Sequence, residues 1–537
     1  VTLFAGRPGL DVRTYPIRVL LCVGLAGCAV GPDHEPPQRQ VPERWSEAEP
    51  GVVTTRPAEV AEWWTTLNDP MLNALIERAV RSNINLRIAN ARVRQARAQR
   101  GVVAADLWPQ ADLSGSYNYK GTSLNEKPET SGDSSGVGGQ LLDAVSDATG
   151  SAIANGSLDP SGFASDVVSD AVSGALDRND GGGANGTVRA QNLFEVGFDA
   201  TWELDIFGGV RRSVEAAEAE IDAAEEDRRD VLVTLLSEVA RNYVEARGYQ
   251  RQISIARENI ATQQKTLDLT RIRLDGGLTS ELDVAQAKAQ LASTQSEVPT
   301  LETYFRQAVH RLGVLLGEHP GTLLADLSTE ARIPASPPPI PVGVPSELLR
   351  RRPDIRRSER QLAAATAEIG VATADLFPKF SLTGSFGSQT HDMQHFLDRR
   401  SLFWSVGPSV SWPILDAGRI RANIEVQDAI QQEALARYEL TVLTALEDVE
   451  NALAAYQREH VRYRHLADAV AANRRAVILA NERYVAGVAD FLSVLEAERS
   501  LYATQVQLVQ STTDTTLHAI TLYKALGGGW QPVASEP

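Results

Sequence analysis

Seven apolar residues, Leu232, Val239, Ala246, Ile253, Ile260, Leu267 and Leu274, follow one another at a spacing of seven without a break. A second series, Val442, Val449, Tyr456, Tyr463, Val470, Val477 and Tyr484, repeats the pattern 210 residues later. Leu235, Tyr249, Ala256, Ala445, Ala452 and Leu466 fill the second seam position. A strict seven-residue period commits a chain to helices that pair along their length as coiled coils. No proline interrupts 210–275 or 418–486, so each helix runs some 60 residues, about 90 Å at about 1.5 Å per residue. Gly276-Gly277 and Gly487 then supply sharp turns into helices expected over 280–316 and 490–527.

The chain is a tandem repeat. Ala105-Asp-Leu-Trp-Pro109 recurs as Ala374-Asp-Leu-Phe-Pro378, an offset of 269, and Leu113-Ser-Gly-Ser-Tyr117 recurs as Leu382-Thr-Gly-Ser-Phe386. Further on the offset is 210: Trp202 pairs with Trp412, Gly208 with Gly418, Arg273 with Arg483 and Gly277 with Gly487. The 59-residue difference between offsets of 269 and 210 places an insertion between Tyr117 and Trp202. Residues 121–190 there are rich in Gly, Ser, Asp and Ala, with Phe163 the one aromatic, a composition expected of a mostly flexible surface loop. Residues 333–345, with six prolines, read as a stiff extended linker between the repeats.

Between the helices the period changes to two. Ala111, Leu113, Gly115, Tyr117 and Tyr119 alternate with Asp112, Ser114, Ser116 and Asn118. Phe194, Val196, Phe198, Ala200, Trp202, Leu204 and Ile206 form a second such series. The second repeat has Phe380, Leu382, Gly384 and Phe386, then Trp404, Val406, Pro408, Val410, Trp412 and Ile414. Four strands with one apolar, aromatic face and one polar face are expected, of the length a membrane barrel requires. Four strands do not close a barrel, since the smallest types need about eight. An unclosed edge is not tolerated in lipid, so the barrel is shared between chains. Two chains give eight strands and three give twelve, and the spacing does not choose between them.

Composition narrows the function. With 69 acidic and 52 basic residues the net charge is −17, which argues against a nucleic-acid partner. No run of 18 apolar residues follows the N-terminus, so no ordinary transmembrane helix is expected. Arg7, Arg13 and Arg18 precede the apolar Val19–Leu25, the pattern of a secretory signal ending in Leu25-Ala26-Gly27-Cys28. That ending is similar to a bacterial lipobox, in which the cysteine is acylated. Cys22 and Cys28 are the only cysteines, which excludes a disulfide framework or a cysteine zinc site in the body. His391 and His395 have metal-ligand spacing but sit in a loop without a companion motif, so no metal, cofactor or catalytic residue is assigned.

The lipobox, Gly31-Pro32-Asp33, Trp63-Trp64, the duplicated Ala-Asp-Leu-Trp/Phe-Pro, Trp202-Glu-Leu-Asp-Ile-Phe-Gly208 and Arg350-Arg-Arg-Pro-Asp354 together resemble the TolC-like outer-membrane efflux factors. The similarity is strongest to the lipid-anchored branch that serves resistance-nodulation-division pumps. It implies an α+β membrane protein, a homotrimer whose chains each give four strands to one 12-stranded transmembrane β-barrel, continued by a periplasmic α-helical coiled-coil barrel. It implies outer-membrane lipid, a periplasmic adaptor and an inner-membrane pump as partners, and passive conduction of small molecules as the function. An outer-membrane component of protein secretion is the alternative; a lipid-anchored coiled-coil tether leaves the four strands unexplained. The resulting map is a signal peptide over 1–27, an anchored segment over 28–66, a first repeat over 67–317, a linker over 318–344, a second repeat over 345–530 and a tail over 531–537.

The resemblance also places a gate at the hairpin tips, with Asp283, Tyr484 and Glu496 as candidates and Gly276, Gly277 and Gly487 as the turns. Ala489 and Ser493 stand where relatives can carry charged gate residues. Asp283 and Ser493 are equivalent by the 210 offset, as are Gln286 and Glu496, so the repeats are least alike at the tips. The expectation is that hairpins folded inward are held by their neighbours, with Asp283 accepting a hydrogen bond from Tyr484. Met71 and Met393 are the only methionines, too few for a thioether path for soft metal ions.

Overall fold

The computed structural model describes residues 29–37, 40–48, 53–54, 61–121, 190–335 and 339–530. The signal segment, Cys28 and nearly all of the 121–190 insertion lie outside the described residues. Two compact units are present: a helical body of 1–108, 202–381 and 410–537, and a strand body of 109–201 and 382–409.

The helical body holds both hairpins. In chain order its main elements are β1 (Val53–Thr54), α1 (Pro70–Ser82), α2 (Ile84–Ala105), α3 (Gly209–Asp275) and α4 (Glu281–Leu315). There follow α5 (Leu324–Leu327), β4 (Ile340–Pro341), α6 (Pro345–Arg351), α7 (Pro353–Ala374), α8 (Arg419–Val485) and α9 (Phe491–Ala525). The expected long helices are 67 residues each and their return helices 35 each. Much of the seam is buried: Val239, Ala246, Ile253 and Leu267 in α3, and Val442, Val449, Tyr456, Val470 and Tyr484 in α8. Tyr463 departs from the pattern, half exposed, because it lines an open groove between α3, α8 and α9.

Each return helix spans only about half of its 67-residue partner, and the chain completes it end to end. Asn83 caps α2 by accepting from Leu86 N–H at 2.9 Å and donates from Nδ2 to the Leu315 carbonyl at the end of α4, 2.7 Å. Arg352 occupies the equivalent N-cap of α7 and donates to the Ala525 carbonyl at the end of α9, 3.1 Å. Terminal carbonyls that a helix leaves unpaired are thus satisfied by the next helix's cap. Gly317 (φ +71°) and Gly527 (φ +71°) make both junctions possible, since a Cβ on the first would lie 2.6 Å from the Ser82 carbonyl.

The main core lies where these junctions cross the long helices. Trp63 is fully buried and stacks on Tyr523 at 5.3 Å, and Tyr243 donates to Asp69 at 2.8 Å. The segment read as a linker is part of this core: Ile340 is fully buried and pairs with Val53 in a parallel two-stranded ladder. A proline-rich extended segment suits an isolated bridge of this kind because few of its N–H groups need partners.

The strand body is formed by β2 (Gln110–Gly121), β3 (Ala190–Leu204), β5 (Lys379–Thr390) and β6 (Leu402–Ser411), in the order β2-β3-β5-β6. β2 and β3 are antiparallel, with Leu113 opposite Phe198, Gly115 opposite Val196 and Tyr117 opposite Phe194. The predicted apolar series therefore share one face. Leu113, Phe198, Phe386 and Val406 are exposed on it, and Trp404 is 75% exposed. The other face carries Ser114 hydrogen-bonded to Asp199 at 3.0 Å and Ser385 to Ser405 at 2.8 Å. A sheet with its apolar face outward and its polar face paired is inverted relative to a water-soluble one.

Close approach of α3 and α9 depends on Gly248: a Cβ there would lie 2.6 Å from Thr513 Oγ1. Gly248→Ala should lower stability by about 1–3 kcal/mol through overpacking, and adding Thr513→Ala should recover much of the loss. Thermal unfolding of the two single variants and the double variant checks this non-additivity.

Candidate functional site

The two hairpin tips are built alike. Leu278 N–H donates to the Arg273 carbonyl at 2.8 Å and Gly277 N–H to Leu274 at 2.9 Å. At the second tip Val488 donates to Arg483 and Gly487 to Tyr484, both at 3.0 Å. This pairing needs a left-handed residue, supplied by Gly277 (φ +71°) and Gly487 (φ +75°). Gly276, by contrast, is right-handed (φ −81°), and Ala486 fills its place in the second tip.

The next turn uses the same bonds with the residues exchanged. Ser280 caps α4 and Asp283 reaches back to it, with Asp283 Oδ2 accepting from Ser280 N–H (3.0 Å), Ser280 Oγ (2.9 Å) and Thr279 Oγ1 (2.5 Å). At the second tip Asp490 is the cap and Ser493 donates to it from N–H and Oγ, at 3.1 and 2.6 Å. The difference at Asp283 and Ser493 is thus a swap of cap and third residue, and each cap pair keeps one carboxylate. Partial burial pushes the Asp283 carboxyl up, but the bonds from Thr279 and Ser280 outweigh it and hold the group below its ordinary range. Asp490 is lowered by the Ser493 bonds.

Within the chain Asp283 is not bonded to Tyr484. Its capping geometry turns the carboxylate toward Thr279 and Ser280, while Tyr484 lies buried in the tip core against Phe491, at 5.7 Å. Arg273 covers the Tyr484 ring at 4.5 Å and joins the first hairpin to the second. The duplication marks Arg273 through its pairing with Arg483, but the contact with Tyr484 belongs to the tertiary structure. Glu496 is exposed on the first turns of α9. His391 and His395 are engaged separately, with the Asn192 carbonyl at 2.7 Å and Asp398 at 2.9 Å.

The carboxyl that is buried near the tip is Glu498, which the sequence reading passed over. Only 5% exposed, it accepts from Thr266 Oγ1 of α3 at 2.8 Å. It lines a cavity of about 230 Å³ with Gln263, Arg474 and Gln505. Gln263 is 3% exposed, and neither amide atom has a partner among the described residues. Val494, Glu498 and Tyr502 follow the helical spacing of an apolar face, so a carboxylate interrupting that face is the signal that identifies it.

Burial pushes the Glu498 carboxyl above its ordinary range, and the Thr266 bond only partly opposes this. A folded value above the unfolded one makes the α3–α9 contact firmest at acid pH and weakens it as pH rises through the raised value. Protection factors around Thr266 and Glu498, with the intrinsic exchange rate at each pH divided out, should accordingly rise as pH falls through the raised value. Glu498→Gln should show high protection that does not change with pH; a change in protection equal to that of the unmodified protein would place its cause elsewhere.

Comparison with known proteins bears on the whole chain. Residues 169–318 and 344–528 match the family described as outer membrane efflux protein. The chain is 30% identical over 512 residues to nodulation protein T of Rhizobium leguminosarum bv. trifolii, covering 95% of this chain and 96% of that protein. It is also 30% identical over 529 residues to the cation efflux system protein CusC of Escherichia coli O6:H1 (strain CFT073), covering 96% and 99%. The solved outer-membrane channel OprN superimposes with a TM-score of 0.79 at 34% identity, over 94% of this chain and 100% of that one. The inverted sheet, the paired hairpins and this nearly end-to-end similarity lead to one conclusion: the chain belongs to the outer membrane efflux protein family, whose members are outer-membrane channels and not enzymes.

Proposed function

We propose that the chain is the passive exit duct of a tripartite efflux system, working as a homotrimer with a periplasmic adaptor and an inner-membrane resistance-nodulation-division pump. The observation that carries this reading is the four-stranded sheet with its apolar face exposed and with β2 and β6 at its ends. In hydrocarbon an edge strand needs another strand beside it, which further copies of the same sheet supply. Three copies give twelve strands, the number the family resemblance implies. The long helices carry apolar side chains that find no cover within one chain, among them Val426, Ile430, Leu440 and Leu443 on α8, and these suit contact with a neighbouring copy.

No energy source is assigned to the duct, so cargo moves down its gradient once the pump has delivered it. The acidic tips suit an entrance that admits cations more readily than anions: Asp283 and Asp490 lie within electrostatic reach of each other, and Glu496 follows on α9. Exposed Leu278, Leu282, Val488 and Leu492 give the tips an apolar rim for an adaptor to meet. Cys28 is proposed as the acylated residue holding the N-terminus in the outer membrane. Acyl chains contribute about 0.8 kcal/mol per buried methylene, enough for firm attachment with more than one chain.

Planar-bilayer recording of the purified protein tests the duct reading, since a coiled-coil tether forms no pore. Asp283→Ala removes the carboxylate half of the α4 capping box and leaves Ser280 as the cap, a loss of about 1 kcal/mol, and should raise single-channel conductance by loosening the tip. Glu496→Gln should lower cation selectivity. If both variants conduct as the unmodified protein does, the constriction lies elsewhere. Metabolic labelling with a fatty acid should mark the protein and fail to mark Cys28→Ser; absence of label in the unmodified protein would overturn the anchor.

A further inference from the structure

The Gly31-Pro32-Asp33 motif follows the anchor but is given no work by the duct mechanism. In the fold it docks where the two repeats meet. Val30 N–H donates to the Phe207 carbonyl at 3.1 Å. Arg212 of α3, whose side chain is 5% exposed, donates from Nε to the Val30 carbonyl (3.1 Å) and from Nη2 to the Gly31 carbonyl (3.3 Å). The same Nη2 pairs with Asp33 at 2.7 Å, and Nη1 with Glu215 at 2.8 Å.

Three glycines make room for this segment. A Cβ on Gly31 (φ +93°) would lie 2.4 Å from Gly370 Cα, and one on Gly370 would lie 2.8 Å from Arg212 Cγ and 2.9 Å from the Val30 carbonyl oxygen. A Cβ on Gly208 would lie 2.6 Å from Ala29 Cα. Gly208 and Arg212 come from the first repeat, Gly370 from the second. Close by, Phe207 stacks on Phe377 at 4.6 Å, and a Cβ on Gly209 would lie 3.1 Å from that of Ala374. The segment is therefore seated on the crossing of α3 and α7.

That crossing is where β3 passes into α3 and α7 passes into β5, the two strands that join the repeats within one sheet. We propose that residues 29–33 form a clasp, with Arg212 as its positioning residue, that ties the repeats together at the roots of β3 and β5 and thereby sets the pairing of these strands. Asp33 is 88% exposed, so its ion pair alone contributes little. The bonds to the two carbonyls carry the clasp, and a guanidinium makes them where an ammonium cannot span the same set. The clasp acts whether or not Cys28 is acylated, so it stands apart from the anchor reading.

Hydrogen exchange of the full-length protein in detergent, followed in peptides 29–37, 190–204 and 379–390, tests it. Arg212→Ala and Gly370→Ala should speed exchange tenfold or more in 29–37 and, with it, in both strand peptides. Asp33→Asn should have the smallest effect and Arg212→Lys an intermediate one. Arg352→Ala, which removes a partly buried arginine at the far end of α7, should leave 29–37 protected. If Arg212→Ala yields too little folded protein, the order Asp33→Asn, then Arg212→Lys, remains the measurement. Unchanged protection of 29–37, or loss there with both strand peptides unaffected, would overturn the proposal, as would equal exposure of 29–37 in Arg352→Ala. The same order should hold in a Cys28→Ser background.

Discussion

Helices of unequal length cannot bury a common seam, and this mismatch organises the molecule. A 67-residue helix extends about 100 Å at about 1.5 Å per residue, while its 35-residue return covers about half of that. The remainder is covered by a 22-residue helix from elsewhere in the chain, set end to end with the return. Such a joint brings unpaired carbonyls against unpaired N–H groups, and it survives only if both sets are satisfied. Asn83 does this in the first repeat and Arg352 in the second, each holding the terminal carbonyl of the incoming helix. The main core, with Trp63, Tyr523 and Tyr243, gathers around these joints.

The strand roots repeat the same economy of design. Trp202 donates from its indole to the Leu107 carbonyl at 3.0 Å, and Trp412 to Leu376 at 3.1 Å. Each is the leucine of an Ala-Asp-Leu-Trp/Phe-Pro motif, so the two duplicated sequence features meet each other. Where duplication is kept, one interaction is made twice. Where it is broken, as at Ser280 and Asp283 against Asp490 and Ser493, the cap is still made with the partners exchanged.

Buried polar groups near the tips separate rigid from adjustable parts. Tyr502 donates to Glu297 at 2.6 Å, and burial together with that bond pushes its phenol up, so this pair keeps its proton across the ordinary pH range. Glu498 is different, because among the described residues its carboxyl has one donor and shares its cavity with the Gln263 amide, which has no partner there. A charge in that position is held weakly, and a proton there strengthens the contact between hairpins.

Much of the architecture is legible in the sequence because it depends on local periods and turns. The seven-residue series place the helices within a residue or two of those observed, and the alternating series place the four strands, with Ile206, Trp412 and Ile414 falling beyond the ends of β3 and β6. Gly277 and Gly487 announce the left-handed turns, since other side chains are strained there. The proline-rich stretch at 333–345 has the composition of a linker, and the pairing of Ile340 with Val53 is invisible in it because it depends on a segment nearly 290 residues away. The contact of Arg273 with Tyr484, the seat of Gly31 on Gly370 and the burial of Glu498 against Thr266 are likewise decided by the tertiary structure. Period and composition determined which elements form and which face is apolar. Which elements meet, and which polar groups are left without partners, was decided only when helices from both repeats closed around the same joints.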